Sequence, residues 1–154
     1  MDLGVHLVDV ALWTLGDARV SSVSARLFAD GEMLTKPAER VEDYATAMLE
    51  LETGAVARIA CSWRLQAGCD AVIFAAFYGT QGGAALRNVD GSFYDFVAER
   101  FRGTKREVLA SPPDAWGGRG AADWARRLAA GERFSRDIEE VAEVARVLDR
   151  IYGR

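Results

Sequence analysis

The stretch YATAMLELETGAVARIACSWRL, residues 44–65, decides the fold class. Two runs, Tyr44–Leu51 and Ala55–Leu65, flank a turn at Thr53-Gly54. In the second run Ala55, Ala57, Ile59, Cys61, Trp63 and Leu65 alternate with Arg58, Ser62 and Arg64. A period of two places successive side chains on opposite faces, so the segment reads as an antiparallel hairpin with one packed and one wetter face.

Working outward, a Val- and Ser-rich strand is expected over Arg19–Phe28, then a polar loop over Ala29–Glu42 holding Gly31 and Pro37. Strands are expected at Ala71–Gly79, Ala84–Val89, Phe93–Arg102 and Lys105–Leu109, each bounded by Gly, Asn, Asp or Thr. Three helices frame them. In Asp2–Leu15 apolar residues cover most of the circumference, which predicts a largely buried helix stopped by Gly16-Asp17. Ala121–Ala130 ends at Gly131. Arg136–Tyr152 follows the N-cap candidate Ser135, with Asp137, Glu139 and Glu140 early and Arg146, Arg150 and Arg154 late, as the helix dipole favours. Its expected buried stripe is Ile138, Val141, Ala142, Ala145, Leu148 and Tyr152. A helix, a run of strands, then two helices is an α+β pattern: an open, mostly antiparallel sheet with helices packed on one face. No linker interrupts it, so residues 1–154 read as a single domain.

Composition excludes several classes. Half of the 154 residues are apolar and Pro numbers only 3, which is not a disordered chain. A net charge of −4 with interspersed signs gives no footprint for nucleic acid or an anionic membrane. No apolar run approaches the ~20 residues a bilayer span requires. Cys61 and Cys69 are too few for a disulfide scaffold, and the segment at Asp2 lacks a basic leader. A cytoplasmic chain with free thiols is the expectation.

The chemistry gathers on the first helix. Asp2, His6, Asp9 and Trp13 fall at i, i+4, i+7 and i+11, one stripe, and His6 is the lone histidine. A carboxylate one turn earlier can hold one ring nitrogen and leave the other to exchange a proton with a ligand. Two other roles are open to His6 from spacing alone: a core-edge ring tied to a backbone carbonyl, or a metal ligand with Asp2 and Asp9.

The wording goes further than the spacing. Asp2-Leu3-Gly4-Val5-His6-Leu7-Val8-Asp9 followed by Ala11-Leu12-Trp13 resembles the D-x-G-x-H-x-x-D signature of the Gfo/Idh/MocA oxidoreductases. The resemblance continues through Val41–Ala47, Glu52–Ala57 and Tyr78–Gly82, and through Asp137–Tyr152, which is similar to the family's closing helix. It implies a C-terminal substrate domain of an NAD- or NADP-dependent oxidoreductase acting on a sugar or polyol, with a sheet face that pairs with another subunit. It implies His6 as the proton-transfer residue, Asp2 as its orienter, and Asp9 as a substrate contact.

Two family features have no match: the Rossmann domain's G-x-G-x-x-G loop and the E-K-P motif with its lysine. Gly79-Thr80-Gln81-Gly82-Gly83 follows a strand late in the chain and reads as a turn, and Lys36-Pro37 is preceded by Thr35. Three arrangements are open: a truncated gene, a start placed too late, or a separate Rossmann-domain chain. The isolated chain is expected to be inactive. The alternative is a non-catalytic binding or oligomerisation module.

Trp63 and Arg64, at the end of the hairpin's second arm, suit a substrate pocket as aromatic wall and hydroxyl-binding cation; the plainer expectation is a packed Trp and a solvated Arg. Cys61, on the apolar alternation, reads as a buried, inert thiol, and Cys69 as a turn residue. Phe93, Tyr94, Phe96 and Phe101 with Arg100 and Arg102 suit core or a subunit interface in preference to base stacking. An open sheet leaves a face to cover, so a homo-oligomer is expected.

Overall fold

A computed structural model describes residues 2–16, 19–133 and 137–154, without the side chains of Asp2 and Asp137. In chain order the elements are α1 (Asp2–Thr14), β1 (Val20–Ala29), β2 (Glu32–Met33), β3 (Tyr44–Leu51), β4 (Val56–Ser62) and β5 (Phe74–Gly79). Then follow β6 (Gly82–Asn88), β7 (Phe96–Arg102), β8 (Lys105–Ala110), α2 (Arg119–Ala129) and α3 (Asp137–Tyr152). They gather into two compact units, Met1–Leu65 with Arg133–Arg154, and Gln66–Glu132. No composition shift marks the boundaries at Leu65 and Arg133, which is why the sequence suggests an undivided chain.

The first unit holds a sheet in the order β2-β1-β3-β4, every pair antiparallel. The hairpin forms where the alternation places it, with Tyr44 opposite Ser62, Ala47 opposite Ile59 and Glu50 opposite Val56. Ala45, Ala47, Leu49 and Leu51 are buried, while Tyr44 and Met48 point to the other, exposed face. Val8 and Leu12 of α1 and Val144, Val147 and Ile151 of α3 join this face in one core cluster. Leu27, Leu49, Ile151, Val8 and Val147 are fully buried. Burying each such side chain contributes about 1.5–3 kcal/mol.

Four expectations need correction here. The second hairpin arm ends at Ser62, not Leu65: the Ser62 hydroxyl accepts from Arg64 N–H at 3.1 Å and turns the chain out of the ladder. The polar stretch after β1 is not all loop, because Asp30 and Gly31, at φ +52° and +81°, make the tight turn that lets β2 pair back on β1. Helix α1 is buried on one side only. Gly4, Val8, Ala11 and Leu12 face inward, but Leu3 and Trp13 are exposed, since only β4 and α3 cover it. The buried stripe of α3 is Val144, Val147 and Ile151, flanked by Leu148 and Tyr152. Ile138, Val141, Ala142 and Ala145 are exposed, because α3 meets α1 and β1 along the stripe of Val144, Val147 and Ile151. The cap candidate Ser135, and Asp17 after α1, lie outside the described residues.

The second unit is an antiparallel meander, β5-β6-β7-β8. Gly83 is required inside it, because a Cβ there would sit 2.7 Å from the Phe77 carbonyl oxygen. Phe93 and Tyr94 lie ahead of β7, in an exposed loop, so the strand expected from Phe93 begins at Phe96. The Ser92 hydroxyl explains the late start: it accepts from Tyr94 and Asp95 N–H and holds the chain in a turn. Among the described residues of this unit only Ala85 and Glu99 are buried, and α2 has no buried residue. Thus the α+β class and antiparallel pairing hold, with the strands shared between two four-stranded sheets.

Candidate active site

Helix α1 displays the stripe that the spacing implies. His6, Asp9 and Trp13 are all exposed, opposite Gly4, Val8, Ala11 and Leu12. Packing of Val8 and Leu12 into the core therefore fixes which way the imidazole faces. The ring takes part in no hydrogen bond or ion pair among the described residues, which leaves both nitrogens open to a ligand. Asp2 belongs to the first turn of α1, but its side chain lies outside the described residues. Among the described residues no three His, Cys, Asp or Glu gather as a metal ion would need.

Trp63 departs from the plainer expectation, whereas Arg64 keeps to it. Trp63 is 63% exposed and is held by its indole N–H, which donates to the Glu42 carbonyl at 2.9 Å. Arg64 is exposed, and places its guanidinium 5.5 Å from the Trp63 ring centre while pairing with Asp30 at 2.9 Å and Asp43 at 3.5 Å. Its charge is engaged in part, and the indole stays largely exposed. The described contacts do not join this pair to His6 or Asp9, although α1 packs on β4, the strand that leads into Trp63.

A second polar cluster escapes sequence reasoning. The Tyr152 hydroxyl donates to the Glu42 carboxylate at 2.6 Å, and Glu42 is 6% exposed. The Ala38 N–H donates to the Tyr152 carbonyl at 3.2 Å, so the end of α3 is fastened to the entry of β3 twice over. Burial and the hydrogen bond to Glu42 push the Tyr152 hydroxyl well above its ordinary range. Burial raises the Glu42 carboxyl, but the bond from Tyr152 and further hydrogen bonds outweigh it and leave the group lowered. Cys61 is half-buried against the core, its thiol pushed up first by burial and then by Glu42, which makes it a poor nucleophile. Cys69 is exposed, as its turn position suggests.

The residues do not fit a dinucleotide. Gly79 pairs with Gly82 across the β5–β6 turn, so that glycine run closes a hairpin. The other glycine pair, Gly117-Gly118 at the start of α2, is separated from β8 by Ser111–Trp116, so it is not the short strand–glycine–helix turn that cradles a pyrophosphate. Nor is any described helix long and apolar enough to cross a membrane.

Comparison with known proteins places the fold. No curated protein matches the chain. Solved structures do. UDP-N-acetylglucosamine 3-dehydrogenase from Acidithiobacillus ferrooxidans superposes with a TM-score of 0.71 at 18% identity, over 96% of this chain and 44% of its own. Aldose-aldose oxidoreductase from Caulobacter crescentus, complexed with glycerol, gives 0.69 at 17% identity, over 97% and 42%. A 3-ketoreductase from Actinomadura kijaniata, in complex with TDP-benzene and NADP, gives 0.68 at 17% identity, over 99% and 45%. At such identities the likeness shows the fold, and the chain spans less than half the length of each of these proteins. The profile of the GFO/IDH/MocA C-terminal domain matches residues 1–85, the part that holds α1, the first sheet and Trp63. The chain therefore belongs to the GFO/IDH/MocA C-terminal domain family.

Proposed function

We propose that this chain is the substrate-side part of an NAD(P)-dependent sugar or polyol oxidoreductase, with His6 as the residue that takes or returns the hydroxyl proton. One observation carries it. The lone histidine of a chain in this family stands on the exposed face of α1, unpaired among the described residues, with Asp9 on the same face. Asp2, one turn before it, orients the imidazole; Asp9 and Trp63 contact the substrate, and Arg64 adds a cation already neutralised in part by Asp30 and Asp43. The sugar or polyol class is supported by the relatives with this fold, named for an aldose and a UDP-sugar. NAD or NADP, held outside the residues described here, is the hydride carrier this chemistry calls for.

Self-association belongs to the same proposal. The first sheet leaves Tyr44 and Met48 exposed and the second leaves Phe74 and Tyr78 exposed, apolar surface that a second copy would cover; a stable interface takes about 800 Å² from each partner. This observation also favours a second reading, a binding or oligomerisation module without chemistry.

Calorimetry and sedimentation separate these. The isolated chain should give no heat with NAD⁺ or NADP⁺ and should sediment above 16.8 kDa. Joined to a family nucleotide-binding domain, it should oxidise members of a sugar and polyol panel. A stoichiometric dinucleotide complex with the isolated chain contradicts the division of labour, and a joined protein that binds cofactor yet oxidises nothing favours the module.

A further inference from the structure

Among the described residues only two that are not glycine have positive φ: Asp30 at +52° and Asp90 at +49°. Each precedes a glycine, Gly31 at +81° and Gly91 at +77°, so the fold contains the same tight turn twice. In the first, Ala29 pairs with Glu32; in the second, Ser92 N–H donates to the Val89 carbonyl at 2.8 Å. The turns differ in what holds the aspartate. Asp30 is clamped, with one carboxylate oxygen 2.9 Å from Arg64 and the other 3.4 Å from Arg40. The Asp90 side chain is exposed and has no hydrogen bond or ion pair among the described residues.

We propose that Asp90–Gly91 is a site of spontaneous isoaspartyl modification, and that its twin Asp30–Gly31 is protected by the two arginines. The Gly91 amide nitrogen attacks Asp90 Cγ, and the new N–C bond closes a five-membered succinimide. One carboxyl oxygen departs as water, carrying the amide proton and the carboxyl proton. Water then adds back to either carbonyl. Opening at Cγ restores aspartate, whereas opening at the main-chain carbonyl routes the backbone through the side chain. Nothing is oxidised or reduced and no atom is gained or lost overall. Glycine in the following position leaves the attacking nitrogen unshielded, and here it cannot be replaced, since a Cβ on Gly91 would lie 2.9 Å from Cys69 Cβ. For Asp30 the same attack must turn the carboxyl back onto Gly31 and break both ion pairs. For Asp90 it breaks none.

The test compares the twins in one molecule. The purified chain is incubated at neutral pH in heavy-oxygen water. Peptide mapping with electron-transfer fragmentation then measures heavy oxygen and isoaspartate at each position. In the native chain, label and isoaspartate should accumulate severalfold faster at residue 90 than at residue 30; in denaturant the two rates should converge. Arg64→Ala should raise the rate at Asp30 and leave Asp90 unchanged, and Asp90→Asn should deamidate faster at position 90 than at Asn88, the one asparagine of the parent chain. Equal native rates, a faster Asp30, or no native conversion at Asp90 while the denatured chain converts at both, would each overturn the proposal.

Discussion

The two units use the same device, a four-stranded antiparallel sheet, and differ in what covers it. In the first, α1 and α3 lie on one face and seal Leu27, Leu49, Val8, Val147 and Ile151 from solvent. In the second, no helix settles on the sheet within the unit: α2 buries nothing, and Trp124 and Leu128 on its apolar side stay exposed. The one buried charged side chain of that sheet, Glu99, sits between half-exposed Arg87 and Arg106 at 3.8 and 3.4 Å. Strand pairing alone therefore does not make a core; a sheet stabilises itself only where a second layer removes apolar area from water. The residue proposed for proton transfer stands on the well-packed unit, which suits a group that must be held in a set direction.

Substitutions can break or sharpen this contrast. Leu49→Ala, in the sealed core, should cost about 2–5 kcal/mol and lower the urea midpoint sharply; a loss below about 1 kcal/mol would remove the first unit's claim to be the stable one. Tyr152→Phe leaves the buried Glu42 carboxylate without its phenol donor and should cost about 1–3 kcal/mol. That pair also sets a pH dependence. The folded Glu42 carboxyl is lowered, so its contribution is complete above the unfolded value near 4.3 and fades as pH falls through the folded one. The folded Tyr152 hydroxyl is raised, so its contribution is complete below the unfolded value near 10 and fades as pH rises beyond it. Tyr152→Phe should flatten both edges of the stability profile; edges as steep as in the parent chain would dissociate them from this pair.

In the second unit the effects should shrink. Glu99→Gln, with both arginine partners about half exposed, should cost about 1 kcal/mol or less. Hydrogen exchange should quicken in β6, β7 and β8 and not in β1, β3 and β4. Trp124→Ser, at a position 66% exposed, should change stability within about 0.5 kcal/mol. A larger loss there would show that α2 has a cover in solution.

Local signals carried much of this architecture. The hairpin at 44–65 was legible because Thr53-Gly54 and a period of two agree, and the exposed stripe of α1 because its polar residues recur at helical spacing. Asp30-Gly31 was a legible turn as well, but a two-residue strand after it is too short for any periodicity to mark. The face of α3 was ambiguous, since two overlapping stripes both look apolar and only the sheet it meets selects Val144, Val147 and Ile151. The bond between Glu42 and Tyr152 joins residues 110 positions apart, and no local pattern encodes such a pair. The exposure of Trp63 follows from the chain leaving the ladder one residue earlier, at Ser62.

The catalytic assignment rests on His6, and one measurement bears on it most directly. In the chain joined to a nucleotide-binding domain of its family, turnover of the best sugar or polyol substrate is compared for the parent and His6→Ala. Loss of a positioned acid–base group predicts a fall of about 10²–10⁴-fold, with cofactor binding unchanged. Turnover that survives the substitution intact would contradict the assignment.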